Sequence, residues 1–235
     1  MASSLKSELL QALRKRDDER IAGLARRDKR TFAKLIAMAY NKDELLCWRA
    51  IEAMGAAARA VAVDDNAAVR NVVQRILWSA REESGGMGWS APELLAEIAI
   101  AAPRYFPDIP PIIISLHSED EENVFLKGVL WAAGRMGEAG IAGIAGSEEL
   151  IRKSLAHEDS AVRGLAAWAA GRTGIDAREA LDGMSGDESG LTIYKDGQLA
   201  STTVGRLAQE ALAAKSGLSS RRSRPRLSGG PLLET

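Results

Sequence analysis

Two near-identical stretches decide how this chain folds: Trp131-Ala-Ala-Gly-Arg-Met-Gly137 and Trp168-Ala-Ala-Gly-Arg-Thr-Gly174. The second begins 37 residues after the first, counting from 131 to 168. A period of this length is typical of antiparallel helix pairs that stack so that each pair covers the apolar face of the next. The sequence therefore predicts an all-α protein built from repeated helical hairpins.

The second copy extends upstream, and residues 159–174 read D-x-x-V-R-x-x-A-A-x-x-x-G-x-x-G. Weaker copies of its opening and of its close occur at Asp65 and around Gly55. Aspartate suits the N-cap of a helix, because its side chain accepts bonds from free backbone N–H groups. The alanines let neighbouring helices approach closely, and Gly134 and Gly171 are expected to end their helices with a left-handed cap.

This pattern resembles the HEAT-like repeat in its short bacterial form, best known from phycobilin-lyase subunits. The resemblance implies a right-handed α-α superhelix, with an arginine that ties one repeat to the next. Arg70 and Arg163 match that arginine. The copy around Trp131 departs from the pattern, because Leu126 replaces the arginine and Lys127 follows it. The implied ion pair is therefore in doubt there.

The resemblance implies one HEAT-like domain over residues 1–216, with its strongest repeats at 42–83, 120–137 and 147–174. Apolar periodicity predicts helices at about 3–15, 17–26, 29–40, 42–57, 66–83, 91–102, 109–116, 121–135, 147–156, 161–172 and 204–215. The arginine-rich tail, 217–235, is predicted to be disordered because it carries few apolar residues.

One segment breaks the helical rhythm. In 191–199, alternating apolar and polar residues flank Asp196-Gly197, a pair that favours the two-residue turn of a β-hairpin. We expect a small hairpin there, followed by a closing helix that Thr203 caps.

Composition limits the classes of function. The chain has 235 residues, a net charge of -1 and a single cysteine, Cys47. An intrachain disulfide and a cysteine metal cluster are therefore excluded, and bulk charge gives no argument for nucleic acid or membrane. We expect a buried, inert Cys47 thiol, a cytoplasmic protein, and no metal or cofactor.

The glycine-rich loop 84–89 is the most unusual local feature. Its glycines permit close approach of another chain or ligand, and Ser90 is expected to cap the next helix. Carboxylates around the loop could bind a cation or pair with an arginine, whereas the alternative is a plain linker between helices. The candidate binding residues are Glu82, Glu83, Gly85, Gly86, Trp89 and Glu93.

Trp131 and Trp168 occupy matching positions in two repeats, and each is followed four residues later by an arginine, Arg135 or Arg172. In the same register, Glu52 precedes Gly55 by three residues. Matching positions of stacked repeats form a stripe along one face. The stripe could line a concave binding groove. Alternatively, the tryptophans fill the core and the arginines cap helix ends.

The N-terminal segment is basic but interleaved with acids. Such a run is typical of the solvated face of a terminal helix, and a nucleic-acid patch is the other interpretation. Its cations are Arg14, Lys15, Arg16, Arg20, Arg26, Arg27, Lys29, Arg30 and Lys34.

We therefore expect a non-enzymatic scaffold or adaptor that binds another protein through the concave face and the glycine-rich loop, with no nucleic-acid or membrane partner. One alternative is a lyase- or isomerase-like enzyme, or a small-ligand sensor, that uses the carboxylates and arginines around 82–93. A second alternative is a nucleic-acid-binding HEAT-like protein.

Overall fold

Helices make up most of the described chain, which in this computed structural model comprises residues 4–81, 89–117, 124–141 and 143–222, with side chains as far as residue 214. The helices of that part are α1 (Leu5–Lys15), α2 (Asp18–Arg27), α3 (Arg30–Met38), α4 (Leu45–Ala62), α5 (Asn66–Arg81), α6 (Ala91–Ala101), α7 (Ile109–Ser115), α8 (Leu126–Glu138), α9 (Ser147–Ser154), α10 (Ser160–Thr173), α11 (Arg178–Gly183) and α12 (Val204–Arg222). Two strands, β1 (Gly190–Lys195) and β2 (Gln198–Thr203), lie between α11 and α12. The predicted all-α class with one small hairpin is confirmed.

The helices form two layers. In the inner layer, α2, α4, α6, α8, α10 and α12 each pack against the next. In the outer layer, α5 contacts α4 and α6, α7 contacts α6 and α8, α9 contacts α10, and α11 contacts α12. One apolar core runs between the layers from Leu9 to Ala211. This alternation of inner and outer helices is what stacked helical hairpins require.

The predicted aspartate caps are present. The Asp159 carboxylate accepts from the Ala161 N–H at 2.7 Å at the start of α10, and Asp65 accepts from the Ala68 N–H at 2.9 Å at the start of α5. The Thr203 hydroxyl accepts from the Arg206 N–H at 3.2 Å and so caps α12 as expected. The expected cap at Ser90 is wrong, because its side chain makes no capping bond and its hydroxyl is buried.

The arginines that match the repeat pattern do join neighbouring hairpins. Arg70 donates to Asp108 at 2.7 Å, and Arg163 donates to Asp187 at 2.8 Å. The copy around Trp131 forms an ion pair after all, between Lys127 and Asp159 at 2.7 Å. A flexible lysine one position later compensates for the missing arginine and ties α8 to the cap of α10.

The motif glycines have a different role from the predicted one. Gly134 and Gly171 lie inside α8 and α10, and the left-handed cap of α10 is Gly174, with φ 74°. A Cβ at Gly134 would overlap the Trp168 ring, and one at Gly171 would lie 2.8 Å from the Cα of Ala211. These glycines therefore permit close packing of neighbouring inner helices.

The hairpin forms where the sequence predicts it. β1 and β2 pair antiparallel with Lys195 opposite Gln198, and Asp196 and Gly197 make the turn with φ of 54° and 78°. Both values lie in the left-handed region, as a two-residue type I′ turn requires. The short helix α11, which precedes the hairpin, was not predicted.

Tyr194 of the hairpin packs onto inner helices from earlier in the chain. Its ring stacks on Trp48 of α4 with centroids 5.1 Å apart, and the Trp131 indole N–H of α8 donates to its carbonyl at 2.9 Å. Trp48 and Trp131 also contact each other, with centroids 5.0 Å apart. The hairpin thus covers one side of the inner layer across α4 and α8.

The last helix is longer than predicted. It continues to Arg222, past the predicted end at 215 and into the segment predicted to be disordered. The rest of the arginine-rich tail, 223–235, lies outside the described residues.

Gly134→Ala tests the close packing of α8 on α10. The new methyl group would overlap the buried Trp168 ring, so we expect the free energy of unfolding to fall by about 2–3 kcal/mol, as in overpacked cores. Urea denaturation measures the change.

Gly23→Ala is the matched control, because Gly23 also lies inside a helix but nothing approaches its Cβ position within 4 Å. Alanine should stabilise α2 there by about 0.5–1 kcal/mol. Equal effects of the two substitutions would contradict the packing role of Gly134.

Candidate functional site

The structure places the predicted site residues in two separate regions. Glu82, Glu83, Gly85 and Gly86 lie outside the described residues. Trp89 and Glu93 lie at the start of α6, whereas the two tryptophan–arginine pairs lie on α8 and α10. The two regions have different partners and are described in turn.

Glu93 is a buried carboxylate, only 1% exposed. Lys42 donates to it at 2.6 Å and to the Trp89 carbonyl at 2.8 Å, so the lysine ties the α3–α4 connection to the start of α6. Gly128 leaves the space that the carboxylate occupies, since a Cβ there would lie 2.8 Å from both oxygens. Glu93 thus contributes to an internal ion pair, and the prediction that it faces a ligand at the loop is not supported by its burial.

Trp89 remains accessible. It is about half exposed and stacks on exposed Tyr40, with centroids 6.3 Å apart and planes 14° apart. The pair is joined to the Lys42–Glu93 ion pair through the Trp89 carbonyl, which accepts from Lys42.

Trp131 and Trp168 belong to the core, as one of the two interpretations expected. They are 1% and 3% exposed, and Trp131 is covered by Trp48 and Tyr194. Neither ring lines an open surface.

The two arginines join a row of charges across three inner helices. Arg135 donates to Glu97 at 3.0 Å and to Glu138 at 2.7 Å, and Arg172 contacts the other oxygen of Glu138 at 3.2 Å. Burial raises the pKa of Glu97, and Arg135 opposes that rise. Burial alone would lower the pKa of Arg135, but Glu97 and Glu138 raise it. The contacts form one continuous row from Glu97 to Arg172.

A groove of about 690 Å³ opens beside this row, between α2, α4, α6 and α8. Its volume is that of pockets that hold small ligands or short segments of chain. Eight charged side chains line it: Arg16, Asp18, Glu19, Arg26, Glu52, Arg59, Glu97 and Arg135. Of these, the repeat register singled out Glu52 and Arg135, and the basic N-terminal segment contained Arg16 and Arg26.

Several of the lining charges are already paired. Arg16 contacts Glu52 at 3.3 Å, Arg135 contacts Glu97, and the Arg26 Nε donates to the Ala60 carbonyl at 3.2 Å. Burial, and after it the charge of Glu52, raises the pKa of Asp18. Small residues form the floor: Ala22, Gly55, Ala56, Ala60 and Ala101.

Four of the nine cations in the basic N-terminal segment form ion pairs with described residues. Arg20 and Arg27 pair with Glu8, Arg30 pairs with Asp28, and Arg16 pairs with Glu52. Such pairing is typical of the solvated face of a terminal helix.

A scan against protein-family models finds no match for the chain, and a search of curated proteins finds none either. Among the described residues, no helix is both long and apolar enough to span a bilayer. The same residues contain no group of three or more histidine, cysteine or acidic side chains arranged to hold a metal ion.

Lys42→Met tests the ion pair beneath Trp89. It leaves a buried carboxylate without its cation, and we expect a loss of about 2–3 kcal/mol, below the 3–5 typical of full burial because Lys42 is partly exposed. Thermal and urea unfolding measure the loss. Lys34→Met, at an exposed position of α3, should change stability by less than about 0.5 kcal/mol. Equal losses would contradict the pairing.

Cys47 gives a second test of this region. Burial, with a contribution from Glu93, raises the pKa of its thiol to about 12. Because the thiolate is the reactive form, we expect a disulfide reagent at pH 8 to label the folded protein at least roughly a thousandfold more slowly than the urea-unfolded chain. Complete labelling of the folded protein within minutes would be inconsistent with a buried thiol.

Proposed function

We propose that this protein is a non-enzymatic scaffold that binds a segment of another protein in the groove between α2, α4, α6 and α8. We further propose that its stacked hairpins follow the right-handed superhelix of HEAT-like repeats. Inner helices that pack in sequence, joined by Arg70 and Arg163, support that path.

The groove carries the functional proposal. It spans four inner helices, measures about 690 Å³, and combines a floor of small residues with charged walls. Surfaces that bind polypeptide combine an apolar centre with a polar rim in this way. Several of the walls' charges are held by ion pairs, so less conformational freedom is lost on binding.

The enzyme and ligand-sensor alternatives relied on Glu82, Glu83 and Glu93 acting with Arg135 or Arg172. Glu93 is buried against Lys42, and Arg135 is held by Glu97 and Glu138. The described members of that set therefore give those alternatives no support.

Site-specific photo-crosslinking tests the proposal. A photo-reactive phenylalanine analogue at Ala56, on the groove floor, should crosslink one identifiable protein in cells of the source organism, because an occupant of the groove must contact this position. Mass spectrometry of the purified adduct identifies the partner.

The control is the same analogue at Gln74, an exposed position of outer helix α5. We expect no specific adduct there, and Arg59→Glu should reduce the Ala56 adduct at least severalfold. Adducts of equal yield at both positions, or none at Ala56, would refute groove binding.

A further inference from the structure

The two ends of the groove can be told apart, because α2 and α4, which form its two principal walls, run parallel. Arg16, just before α2, contacts Glu52 of α4, whereas Arg26, near the end of α2, donates to the Ala60 carbonyl near the end of α4. Along α4 the two contacts are eight residues apart, from Glu52 to Ala60. At 1.5 Å per residue, the two ends of the groove are about 12 Å apart.

One end is rich in carboxylates. Asp18 of α2, Glu52 of α4 and Glu97 of α6 come from three successive inner helices. Arg16 and Arg135 pair with Glu52 and Glu97, but Asp18 has no ion pair with any described residue. Burial and the neighbouring charge of Glu52 raise the pKa of Asp18, and Arg16 and Arg59 offset this only in part.

The unpaired Asp18 carboxylate lies on the same wall of the groove as the Arg16–Glu52 ion pair. A lysine or arginine side chain supplies the positive charge and the N–H donors that Asp18 lacks.

The other end is cationic. Arg26 and Arg59 line it, and the lining carboxylates, including Glu19 in the first turn of α2, lie toward the opposite end. Arg26 uses its Nε on a neutral carbonyl, and Arg59 is exposed and forms no hydrogen bond with the described residues. Both guanidinium groups therefore have N–H donors that no described carboxylate uses. Arginine binds a carboxylate through two parallel N–H donors, so these groups are suited to bind one.

The floor between the two ends leaves room for a main chain. Ala22, Gly55, Ala56 and Ala60 present no side chain longer than a methyl group. An extended chain advances about 3.3 Å per residue, so a distance of about 12 Å corresponds to about four residues.

Building on the proposed function, we propose that the groove selects an extended segment of a partner protein that carries a lysine or arginine and, about four positions away, a carboxylate. The basic side chain binds at Asp18, beside Glu52. The carboxylate, from aspartate, glutamate or a chain terminus, binds at Arg26 and Arg59.

The test is a selection of displayed random decapeptides on the purified full-length protein. We expect at least tenfold enrichment of peptides with one basic and one acidic residue three to five positions apart, in a single order along the peptide. Asp18→Asn and Arg59→Gln should each weaken binding of a selected synthetic peptide about tenfold, measured by fluorescence anisotropy. Asp43→Asn and Arg75→Gln, at exposed positions outside the groove, should leave it unchanged.

The double variant Asp18→Arg with Arg59→Glu provides the sharper readout, because it reverses the direction of charge along the groove. Selection on it should enrich the opposite order of basic and acidic residues. Circular dichroism checks that each variant is folded. If the double variant unfolds, Asp18→Asn with Arg59→Gln replaces it, and selection on that protein should lose the preference for one order.

Each outcome separates this inference from the proposed function. Peptides enriched without the spacing, or in the same order on both proteins, overturn the inference even where the Ala56 crosslink succeeds. An absence of enriched peptides alongside a specific crosslink also overturns it, since the partner then presents a folded surface. Failure of the crosslink removes the proposed function itself.

Discussion

The packing of Tyr194 against Trp48 and Trp131 sets the geometry on which the rest of the structure depends. A stack of helical hairpins has no intrinsic reason for its last unit to contact its first ones, because each unit needs only its neighbours. Here the hairpin near the C-terminal end inserts an aromatic ring between α4 and α8. The indole N–H of Trp131 donates to the Tyr194 carbonyl and so holds the backbone of the hairpin against α8. The hairpin thus joins α4 and α8, two of the four inner helices that form the groove.

Charge is organised around this apolar centre. On the groove side, successive inner helices contribute alternating acidic and basic groups, from Arg16 and Glu52 to Glu97, Arg135, Glu138 and Arg172. Each pair except Arg135–Glu97, whose carboxylate is buried, is partly screened by solvent, so its contribution to stability is small. Its main effect is positional, because a paired side chain is held in one orientation. The ion pairs therefore both neutralise charges in the groove and fix the orientation of its lining side chains.

Local chemistry made much of the fold predictable. Asp196-Gly197 specifies its turn because only a few residue types accept two successive left-handed conformations. Asp159 predicts the start of a helix because its carboxylate accepts from a free backbone N–H of the first turn. The role of Gly134 was not predictable, since glycine is selected both by a left-handed cap and by close packing, and the sequence alone does not separate the two. Helix α11 was missed because six residues are too few to show a periodicity.

The candidate site was harder to predict than the fold. Its lining residues come from four helices, between Arg16 and Arg135, and most occupy positions outside the repeated motif. Glu52 and Arg135 emerged only because they share a register with the tryptophans. Lys42 and Glu93 form an ion pair although they are 51 residues apart in the sequence, counting from 42 to 93. The sequence gives no sign of that pairing, so Glu93 was predicted to be an accessible carboxylate near the glycine-rich loop.

The hairpin also bears on how the chain acquires its structure during synthesis. In an open array, each helical pair can fold as it leaves the ribosome, since its partners have already emerged. Here Trp48 and Trp131 lack their cover until β1 has been made, because Tyr194 is the residue that lies over them. Until then, Trp48 and Trp131 have each other's ring contact but not that of Tyr194. The final third of the chain then completes a core that began to form at Leu9.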